Sequence, residues 1–212
     1  MPTPLQSSEH SGLYLVFEGL DGAGKTTQCR LLAEFLERHG WEVVMTREPT
    51  SGPWGQKIRS MASSGQQVSI EEEIDWFVQD RKQHIQELIV PSLMAGKAVI
   101  QDRYYFSSVA YQGSRGGDAD AIFALHQPFC PVPDGVLFLD IPAEEGLRRV
   151  EVSRGDVPDA FERLEPLQRS AEIFRGFTME YFHSFDGLLP AEELHQHIAS
   201  FVATLSAQKS SR

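Results

Sequence analysis

The chain has 212 residues, of which 41% are apolar and 23% charged, and this composition is ordinary for one folded domain. The formal net charge of −11 argues against a nucleic-acid-binding surface, because such surfaces need clustered basic residues. Two cysteines are too few for a disulfide framework or a cysteine metal cluster, and they fit the reducing environment of the cytoplasm.

The N-terminal segment carries neither a basic region nor an apolar core, so it is not typical of a signal peptide. We expect residues 1–12 to form a disordered tail. No apolar run in the sequence approaches the roughly 18 residues of a membrane-spanning helix, so we expect no membrane partner.

The first predicted element, residues 13–17, is a short apolar and aromatic run that is typical of a buried strand. The residues that follow fit the pattern G-x-x-x-x-G-K-[ST] through Gly19, Gly24, Lys25 and Thr26. After them comes a segment with apolar residues at helical spacing. Because a strand before the motif and a helix after it are the required context, the sequence favours a P-loop over an ordinary glycine-rich turn.

The chemistry of this loop follows from its backbone, which can curl where glycines lack a Cβ and point successive N–H groups at a polyphosphate. The helix that begins near Lys25 adds its positive N-terminal end. We expect Lys25 to reach the β- and γ-phosphates and the Thr26 hydroxyl to bind Mg²⁺. The predicted nucleotide-binding residues are Gly19, Leu20, Asp21, Gly22, Ala23, Gly24, Lys25, Thr26 and Thr27.

Further strands and helices alternate along the rest of the chain. Short apolar runs predict strands at 41–46, 97–102, 135–140 and, weakly, just before residue 186. Helices are predicted up to residue 39 and at 54–63, 70–95, 106–111, 118–126, 143–152, from the end of a polar segment at 153–159 to about 183, and at 191–205. In the long helix, Ser69 is the expected N-cap and Pro91 should cause a kink.

The alternation of strands and helices predicts an α/β fold with a mostly parallel sheet and helices on both faces. Ligands of such sheets lie beyond the carboxyl ends of the strands. These ends carry the P-loop, Arg47, Asp102, Arg103 and Asp140, so we expect the functional groups to gather at one edge of the sheet.

Several motifs occur in the order and approximate spacing that is found in thymidylate kinases. They are residues 17–28, 46–49, 77, 80–84, 102–104 and 110–113. The chain therefore resembles that family from about residue 13 to residue 205. The resemblance implies Mg²⁺-dependent transfer of the γ-phosphoryl group of ATP to dTMP, giving dTDP for dTTP biosynthesis.

The resemblance also implies an architecture. We expect a three-layer P-loop kinase fold, with a five-stranded parallel sheet, helices on both faces and a short lid at about 150–162. One kinase domain should cover residues 13–206 and leave a flexible C-terminus at 207–212. Members of the family are commonly homodimers, so we expect a cytoplasmic homodimer.

Two arginines at strand ends, Arg47 and Arg103, are expected to bind the acceptor phosphate, because guanidinium pairs with phosphate through two hydrogen bonds. A surface salt bridge is the alternative for each. Asp102 ends an apolar strand, where its carboxylate can hold Mg²⁺ together with Thr26. A helix cap or an ion pair with Arg103 is the alternative for Asp102. For Glu48, pairing with Arg47 and binding of metal-bound water both stay open.

Contacts to the acceptor nucleotide are predicted largely from the resemblance. It assigns Asp21 to orienting the acceptor, so we count this residue as catalytic as well. Phe77 and Arg81 lie four residues apart and share a helix face. Either the Phe77 ring stacks on thymine while Arg81 binds a base carbonyl, or Phe77 belongs to the core. Tyr111 and Gln112 complete the expected dTMP contacts, and a plain turn residue is the alternative for Gln112.

Phosphoryl transfer needs positive charge on the moving group as well as Mg²⁺. The P-loop contains no arginine, and bacterial members of the family supply one from a mobile lid. The candidates here are Arg148, Arg149 and Arg154, of which we favour Arg154 and Arg149 as catalytic residues beside Lys25. A solvated helix face is the alternative for both. No strong general base is needed, because the acceptor is already an anionic phosphate.

Three departures from the family pattern concern the acceptor site and the lid. The loop at 50–54 is bulkier than the usual turn, Gln79 stands where alanine is usual, and residues 159–162 lack the usual arginine. A kinase for another deoxynucleotide or nucleoside therefore stays open. A GTP-dependent switch is disfavoured because the guanine-binding Asn-Lys-x-Asp pattern is absent. A silent nucleotide-binding module is disfavoured because the P-loop, Asp102 and Arg103 are intact.

Overall fold

The computed structural model describes residue 6 and residues 10–65, 68–154 and 164–210, except for the side chains of residues 153, 154 and 210. Its centre is a five-stranded, entirely parallel sheet with the strand order β2–β3–β1–β4–β5. The strands are Leu13–Glu18 (β1), Val43–Arg47 (β2), Ala98–Asp102 (β3), Gly135–Asp140 (β4) and Phe182–Asp186 (β5). The predicted α/β fold with five parallel strands is confirmed.

Helices surround this sheet. They are Lys25–Arg38 (α1), Pro53–Ser64 (α2), Ile70–His84 (α3), Val90–Met94 (α4), Tyr105–Ser114 (α5), Ala119–His126 (α6), Ala143–Arg154 (α7), Leu164–Arg175 (α8) and Ala191–Ser210 (α9). In the described part of the chain, none of them is long and apolar enough to cross a membrane.

The long helix predicted at 70–95 is interrupted. The Ser69 hydroxyl accepts a hydrogen bond from the Glu72 amide, as an N-cap does, at 3.1 Å. A π-helical turn at Ile85–Ile89 then separates α3 from α4. Pro91 has no N–H to donate to the preceding turn, so the regular ladder breaks just before it, in agreement with the predicted kink.

The helix predicted to continue to about residue 183 is wrong. α8 ends at Arg175, and residues 182–186 form β5, which pairs with β4 in parallel register. The Phe182 ring packs against Phe106 and Phe177 in the core. Tertiary pairing and packing therefore decide the structure of a segment that local pattern assigned to a helix.

The ends of the domain also differ from the predicted boundaries. The Gly12 amide donates to the Leu93 carbonyl at 3.2 Å and His10 is buried, so the ordered chain begins before residue 13. Residues 1–5 and 7–9 of the predicted tail lie outside the described residues. α9 continues to Ser210, beyond the predicted boundary at 206. The predicted lid at 150–162 begins as the last turn of α7, and its residues 155–162 lie outside the described residues.

The apolar core is centred on β1, in which every residue is buried. α1 contributes one apolar face to this core, with Leu32 and Leu36 almost completely inaccessible. Because β1 and α1 are both packed against the core, the loop that joins them is held at both ends.

Replacing Leu32 with Ala tests this anchoring. The lost apolar burial and the cavity left behind should lower the free energy of unfolding by about 2–5 kcal/mol. Urea unfolding would measure the change. The control is Leu125→Ala, which makes the same substitution at a half-exposed position of α6 and should stay within about 0.5 kcal/mol. Equal losses in the two variants would contradict the assignment of α1 to the core.

Candidate active site

The P-loop turns sharply between β1 and α1. Gly19, Gly22 and Gly24 all have positive φ angles, of 138°, 80° and 93°. A Cβ on Gly22 would lie 2.5 Å from the carbonyl oxygen of Gly146, so a side chain would collide with the start of α7. The loop therefore needs glycine here for both its conformation and its close packing.

The Lys25 ammonium is buried inside this loop. Its Nζ donates to the carbonyl oxygens of Gly19 at 3.0 Å and Leu20 at 2.7 Å. Burial and the nearby Arg103 charge lower the pKa of Lys25. The loop thus concentrates one positive charge and the open end of α1 in the same small volume, where a polyphosphate would be stabilised.

The two predicted metal ligands lie together. The Thr26 hydroxyl donates a hydrogen bond to Oδ2 of Asp102 at 2.7 Å. Hydroxyl and carboxylate oxygens are ligands that suit Mg²⁺, which is usually held by one or two protein groups plus water and substrate phosphates. In the described residues no group of three or more His, Cys, Asp or Glu side chains could form a metal cage. The donor set fits Mg²⁺ bound in this way.

Arg103 is fixed against the P-loop from the end of β3. Its amide donates to the Phe17 carbonyl at 2.9 Å, and its φ angle of 71° turns the chain back towards the loop. Its guanidinium forms an ion pair with Asp21 and donates to the Ser107 hydroxyl at 3.1 Å. The predicted phosphate ligand and the predicted orienting carboxylate are therefore in direct contact.

Glu18, the last residue of β1, supports this arrangement, and we did not assign it a role from the sequence. Its buried carboxylate accepts hydrogen bonds from the amides of Tyr104 and Ser107, at 2.8 and 3.1 Å, and from the Ser107 hydroxyl at 2.6 Å. Burial raises the pKa of Glu18 to about 7, although these donors and Arg103 oppose the shift. Glu18 thus anchors the beginning of α5 and the serine that contacts Arg103.

Two cavities meet at this point. The loop cavity, of about 540 Å³, is lined by the P-loop together with Arg47, Asp102 and Arg149. The helix cavity, of about 280 Å³, lies between α2, α3 and α5. Both are lined by the same five residues at their junction, namely Asp21, Glu48, Pro49, Arg59 and Arg103. Two ligands, one in each cavity, would therefore approach each other at a wall that contains two arginines.

A larger groove of about 770 Å³ runs beside the loop cavity, between α1, β2 and the π-helical turn. It is lined by Thr26, Thr27, Arg47 and Asp102 on one side, but neither Lys25 nor Arg103 lines it. Size alone would make this groove the first candidate. Lys25 and Arg103, the cations best suited to phosphate chemistry, line the smaller cavities instead.

The predicted base-binding residues line the helix cavity. Phe77 is half-buried and packs against the cluster of Ile58, Met61 and Trp76, while it also forms part of the cavity wall. Phe77 therefore belongs to this separate cluster and not to the main core, which contains Ile74 and Ile85. The remaining predicted acceptor contacts on this wall are Arg81, Tyr111 and Gln112.

Arg81 is buried in a polar network behind the helix cavity. It forms an ion pair of 2.7 Å with Glu48, and its Nη2 donates to the Ser108 hydroxyl at 3.2 Å. Glu48 also contacts Nδ1 of His84 at 3.0 Å. Although burial opposes ionisation, Arg81 and His84 together lower the pKa of Glu48. Glu48 therefore pairs with residues of α3 and not with Arg47, while its other predicted role, binding of metal-bound water, stays a prediction.

His126 completes the network and was not expected from the sequence. Its Nδ1 lies 2.7 Å from the Ile122 carbonyl, which can only accept, so Nδ1 carries the proton. Its Nε2 therefore accepts from Nη1 of Arg81, at 2.6 Å. Burial, with the charge of Arg81, lowers the pKa of His126 to about 3, which keeps the ring neutral.

Of the three candidate catalytic arginines, Arg149 is the one that lines the loop cavity among the side chains that the structure describes. It donates to the carbonyls of Gly22 at 3.3 Å and Gly187 at 3.0 Å. Arg148 is exposed and paired with Glu145. Arg154 is the last residue of α7, and its side chain lies outside the described residues.

Three more residues near this edge can be placed, two of which, Arg47 and Asp140, were predicted to lie there. Arg47 is exposed at the end of β2 and lines the loop cavity. Arg59 of α2 lines both cavities and donates to the Pro49 carbonyl at 2.9 Å, but no motif pointed to it. Asp140 ends β4 at the same edge of the parallel sheet, as predicted, and pairs with Arg175, with their closest atoms 2.8 Å apart.

The departures from the family pattern have local explanations. Gln79 bonds to Asp75 at 3.1 Å and does not line the helix cavity, because two residues along a helix it points away from Phe77 and Arg81. We therefore expect Gln79 to leave the contacts to the base unchanged. The bulky loop at 50–54 is held by Asp80, which accepts from the Thr50 amide at 2.8 Å and the Thr50 hydroxyl at 2.6 Å.

Comparison with known proteins finds the family that the sequence motifs resemble, and the match covers most of the chain. A family model described as thymidylate kinase matches residues 17–198. A protein named thymidylate kinase from Desulfotalea psychrophila is 39% identical over 198 residues, which cover 93% of this chain and 98% of the relative. Proteins of the same name from Xanthomonas campestris pv. campestris (strain B100) and Xanthomonas oryzae pv. oryzae (strain PXO99A) are 43% identical over 92% of this chain and 85% of each relative.

The Glu48–Arg81 pair predicts a large cost for removing one partner. Glu48→Ala would leave the Arg81 charge buried without its carboxylate, so the free energy of unfolding should fall by about 3–5 kcal/mol. The matched control is Glu42→Ala, because Glu42 pairs with Lys97 at an exposed position and should contribute less than about 1 kcal/mol. Urea unfolding of the two variants would decide this, and similar values for both would contradict the buried network.

The raised pKa of Glu18 predicts a pH effect on stability. The folded protein should keep this proton up to about pH 7 while the unfolded chain loses it near its ordinary pKa of about 4.5. Stability from this group is therefore fully present below about pH 4.5 and is lost as pH rises to about 7, by roughly 3 kcal/mol.

Glu18→Gln removes this titration. The oxygen of the new amide can still accept from the backbone amides, and its NH₂ group can donate to the Ser107 hydroxyl oxygen. As pH rises from 4.5 to 7, the unfolding free energy of the unmodified chain should fall relative to that of the variant, because only the unmodified chain loses the stability that Glu18 contributes. A difference independent of pH would show that Glu18 titrates normally.

Proposed function

The chain belongs to the thymidylate kinase family, and we propose that it transfers the γ-phosphoryl group of ATP to dTMP, giving dTDP and ADP. The observation that supports this most directly is the meeting of two cavities at a wall shared by Asp21, Arg59 and Arg103. One cavity contains the P-loop and the other contains the residues suited to a pyrimidine. A single cavity would serve a nucleotide-binding switch, whereas two that meet serve a transfer between two substrates.

On the donor side, we assign ATP to the loop cavity. The loop residues 19–27 would surround its phosphates with backbone N–H groups, and Lys25 would move its ammonium from the loop carbonyls to the β- and γ-phosphates. Arg149 already bonds beside Gly22, so it can add positive charge to the group in transfer. Arg154 stays a second candidate for that role.

Mg²⁺ fits this site through Thr26 and Asp102, which would hold it. Bound with ATP, the ion neutralises charge that develops on the transferred group. The protein groups contribute by positioning the ion: Thr26 lies in the first turn of α1 and Asp102 ends β3, so both ligands are fixed by regular backbone structure.

On the acceptor side, we assign dTMP to the helix cavity. Arg103, with Arg47 and Arg59, would bind the phosphate where the two cavities meet. The ring of Phe77 offers a stacking surface for the base. Asp21, beside Arg103, and Tyr111, whose hydroxyl lies 3.4 Å from Nη1 of Arg103, would orient the nucleotide between these ends.

The base itself is matched by hydrogen-bonding groups of opposite kinds. Arg81 can only donate, which suits a carbonyl such as O4 of thymine. Gln112 supplies an acceptor, its Oε1 atom, for the adjacent N3–H. A kinase for another deoxynucleotide or a nucleoside, which Gln79 and the loop at 50–54 had left open, is not favoured by the family match. We also propose that the enzyme is a cytoplasmic homodimer, as is common in the family; its two buried free thiols fit a reducing compartment.

An acceptor panel tests the proposal. With ATP and Mg²⁺, ADP release should be fastest with dTMP and much slower with dCMP, dGMP and thymidine, and removing Mg²⁺ with EDTA should abolish it. Lys25→Met should lower kcat by about 10²–10³. Lys97→Met is the control, since Lys97 pairs with Glu42 at the far end of β3 and should leave turnover nearly unchanged. If another acceptor turned over while dTMP did not, the assignment would fail.

A further inference from the structure

The orientation of the Gln112 side-chain amide is fixed by a neighbour outside the helix cavity wall. Nε2 of Gln112 lies 2.6 Å from Oε1 of Glu73, and both residues are almost completely buried. Oε1 of Gln112 is buried and has no hydrogen-bond partner among the described residues. Since Gln112 lines the helix cavity, a ligand there can supply the missing donor.

Glu73 can hold the amide in only one orientation. An ionised carboxylate accepts hydrogen bonds and does not donate them. Arg115 also forms an ion pair with Oε1 of Glu73, which keeps that oxygen in place. If the Gln112 amide rotated by half a turn, its oxygen would face the Glu73 carboxylate and its buried NH₂ group would lose an acceptor, which is unfavourable in a dry site.

The cavity therefore presents a defined pattern of donors and acceptors. The Oε1 atom of Gln112 is the acceptor, and the guanidinium of Arg81 is the donor, because Nη1 has a second N–H beyond the one directed at His126. A ring with an N–H beside a carbonyl, such as a 4-oxopyrimidine, matches this pattern. A 4-aminopyrimidine has an acceptor nitrogen beside an amino donor, so its acceptor would face the Gln112 oxygen and its donor would face the Arg81 guanidinium.

We propose that Glu73 is a positioning residue that sets the base selectivity of the enzyme, by holding Gln112 so that only pyrimidines with an N3–H are accepted. Glu73 does not touch the substrate and acts through Gln112. This inference rests on the proposed function, because it requires the acceptor base to occupy the helix cavity.

The test compares dTMP with 5-methyl-dCMP, which has the same size and the same methyl group but the opposite hydrogen-bonding pattern at positions 3 and 4. In the unmodified enzyme, the ratio of kcat/KM values should strongly favour dTMP. Glu73→Leu removes the acceptor, so the Gln112 amide can rotate and offer a donor to the cytosine ring. The ratio should then fall at least about tenfold, the effect of one misplaced buried hydrogen bond.

Two variants separate positioning from a general structural role. Glu73→Gln keeps an amide oxygen that can accept from Gln112, so its ratio should remain within about threefold of the unmodified value. Glu71→Gln makes the same change at an exposed position of the same helix and should leave the ratio unchanged. Rescue by Glu73→Gln, together with loss in Glu73→Leu, is not expected from a residue that only stabilises the fold.

Each result has one meaning. An unchanged ratio in a folded Glu73→Leu enzyme overturns the inference and leaves the proposed function intact. No turnover of dTMP by the unmodified enzyme overturns the proposed function itself. If Glu73→Leu does not fold, as judged by thermal unfolding, Glu73→Ala takes its place, because water can then fill the space while the amide remains free to rotate. An unchanged ratio there overturns the inference equally.

Discussion

The register of β3 between β2 and β1 is the constraint on which the site depends. Asp102 is level with Phe17 on one side and Arg47 on the other. The strands therefore end together, and the Arg103 amide can donate to the Phe17 carbonyl while the Glu48 amide donates to the Asp102 carbonyl at 3.1 Å. A slip of one residue would turn every side chain of the strand to the other face. The contact between Thr26 and Asp102 would then be lost.

Charged groups are buried around this edge, and their cost explains how they are paired. Burying a polar or charged group without a partner is expensive, so each is held by several neighbours: the Glu18 carboxyl group by two amides and a hydroxyl, Lys25 by two carbonyls, and Arg81 by Glu48, Ser108 and His126. Such networks do not make a fold more stable than apolar packing would. They fix where donors and acceptors point, and substrate recognition requires that.

The sequence predicted the features that follow from a motif, from helical spacing or from the common edge where parallel strands end, and it missed the side-chain contacts that no such rule relates. The P-loop, the Thr26–Asp102 site and the shared face of Phe77 and Arg81 follow from strand ends and helical spacing, so they could be found without coordinates. Arg81 meets Glu48 and His126 across 33 and 45 positions, and no periodic pattern records such a pairing. The same holds for Glu73 and Gln112, 39 positions apart. A helix that ended at Arg175 was extended too far because β5 depends on pairing with β4.

The Asp21–Arg103 ion pair indicates how an acceptor phosphate would be received at this site. Both residues line the junction of the two cavities, where an acceptor phosphate would lie. A phosphate carries more charge than one carboxylate and offers more acceptor oxygens, so it competes for the guanidinium that Asp21 now holds. Arg103 need not move far, because its backbone is fixed to Phe17 and its Nη1 to Ser107. Asp21 would instead be released towards the nucleotide, so the carboxylate that pairs with Arg103 would become available to orient the substrate.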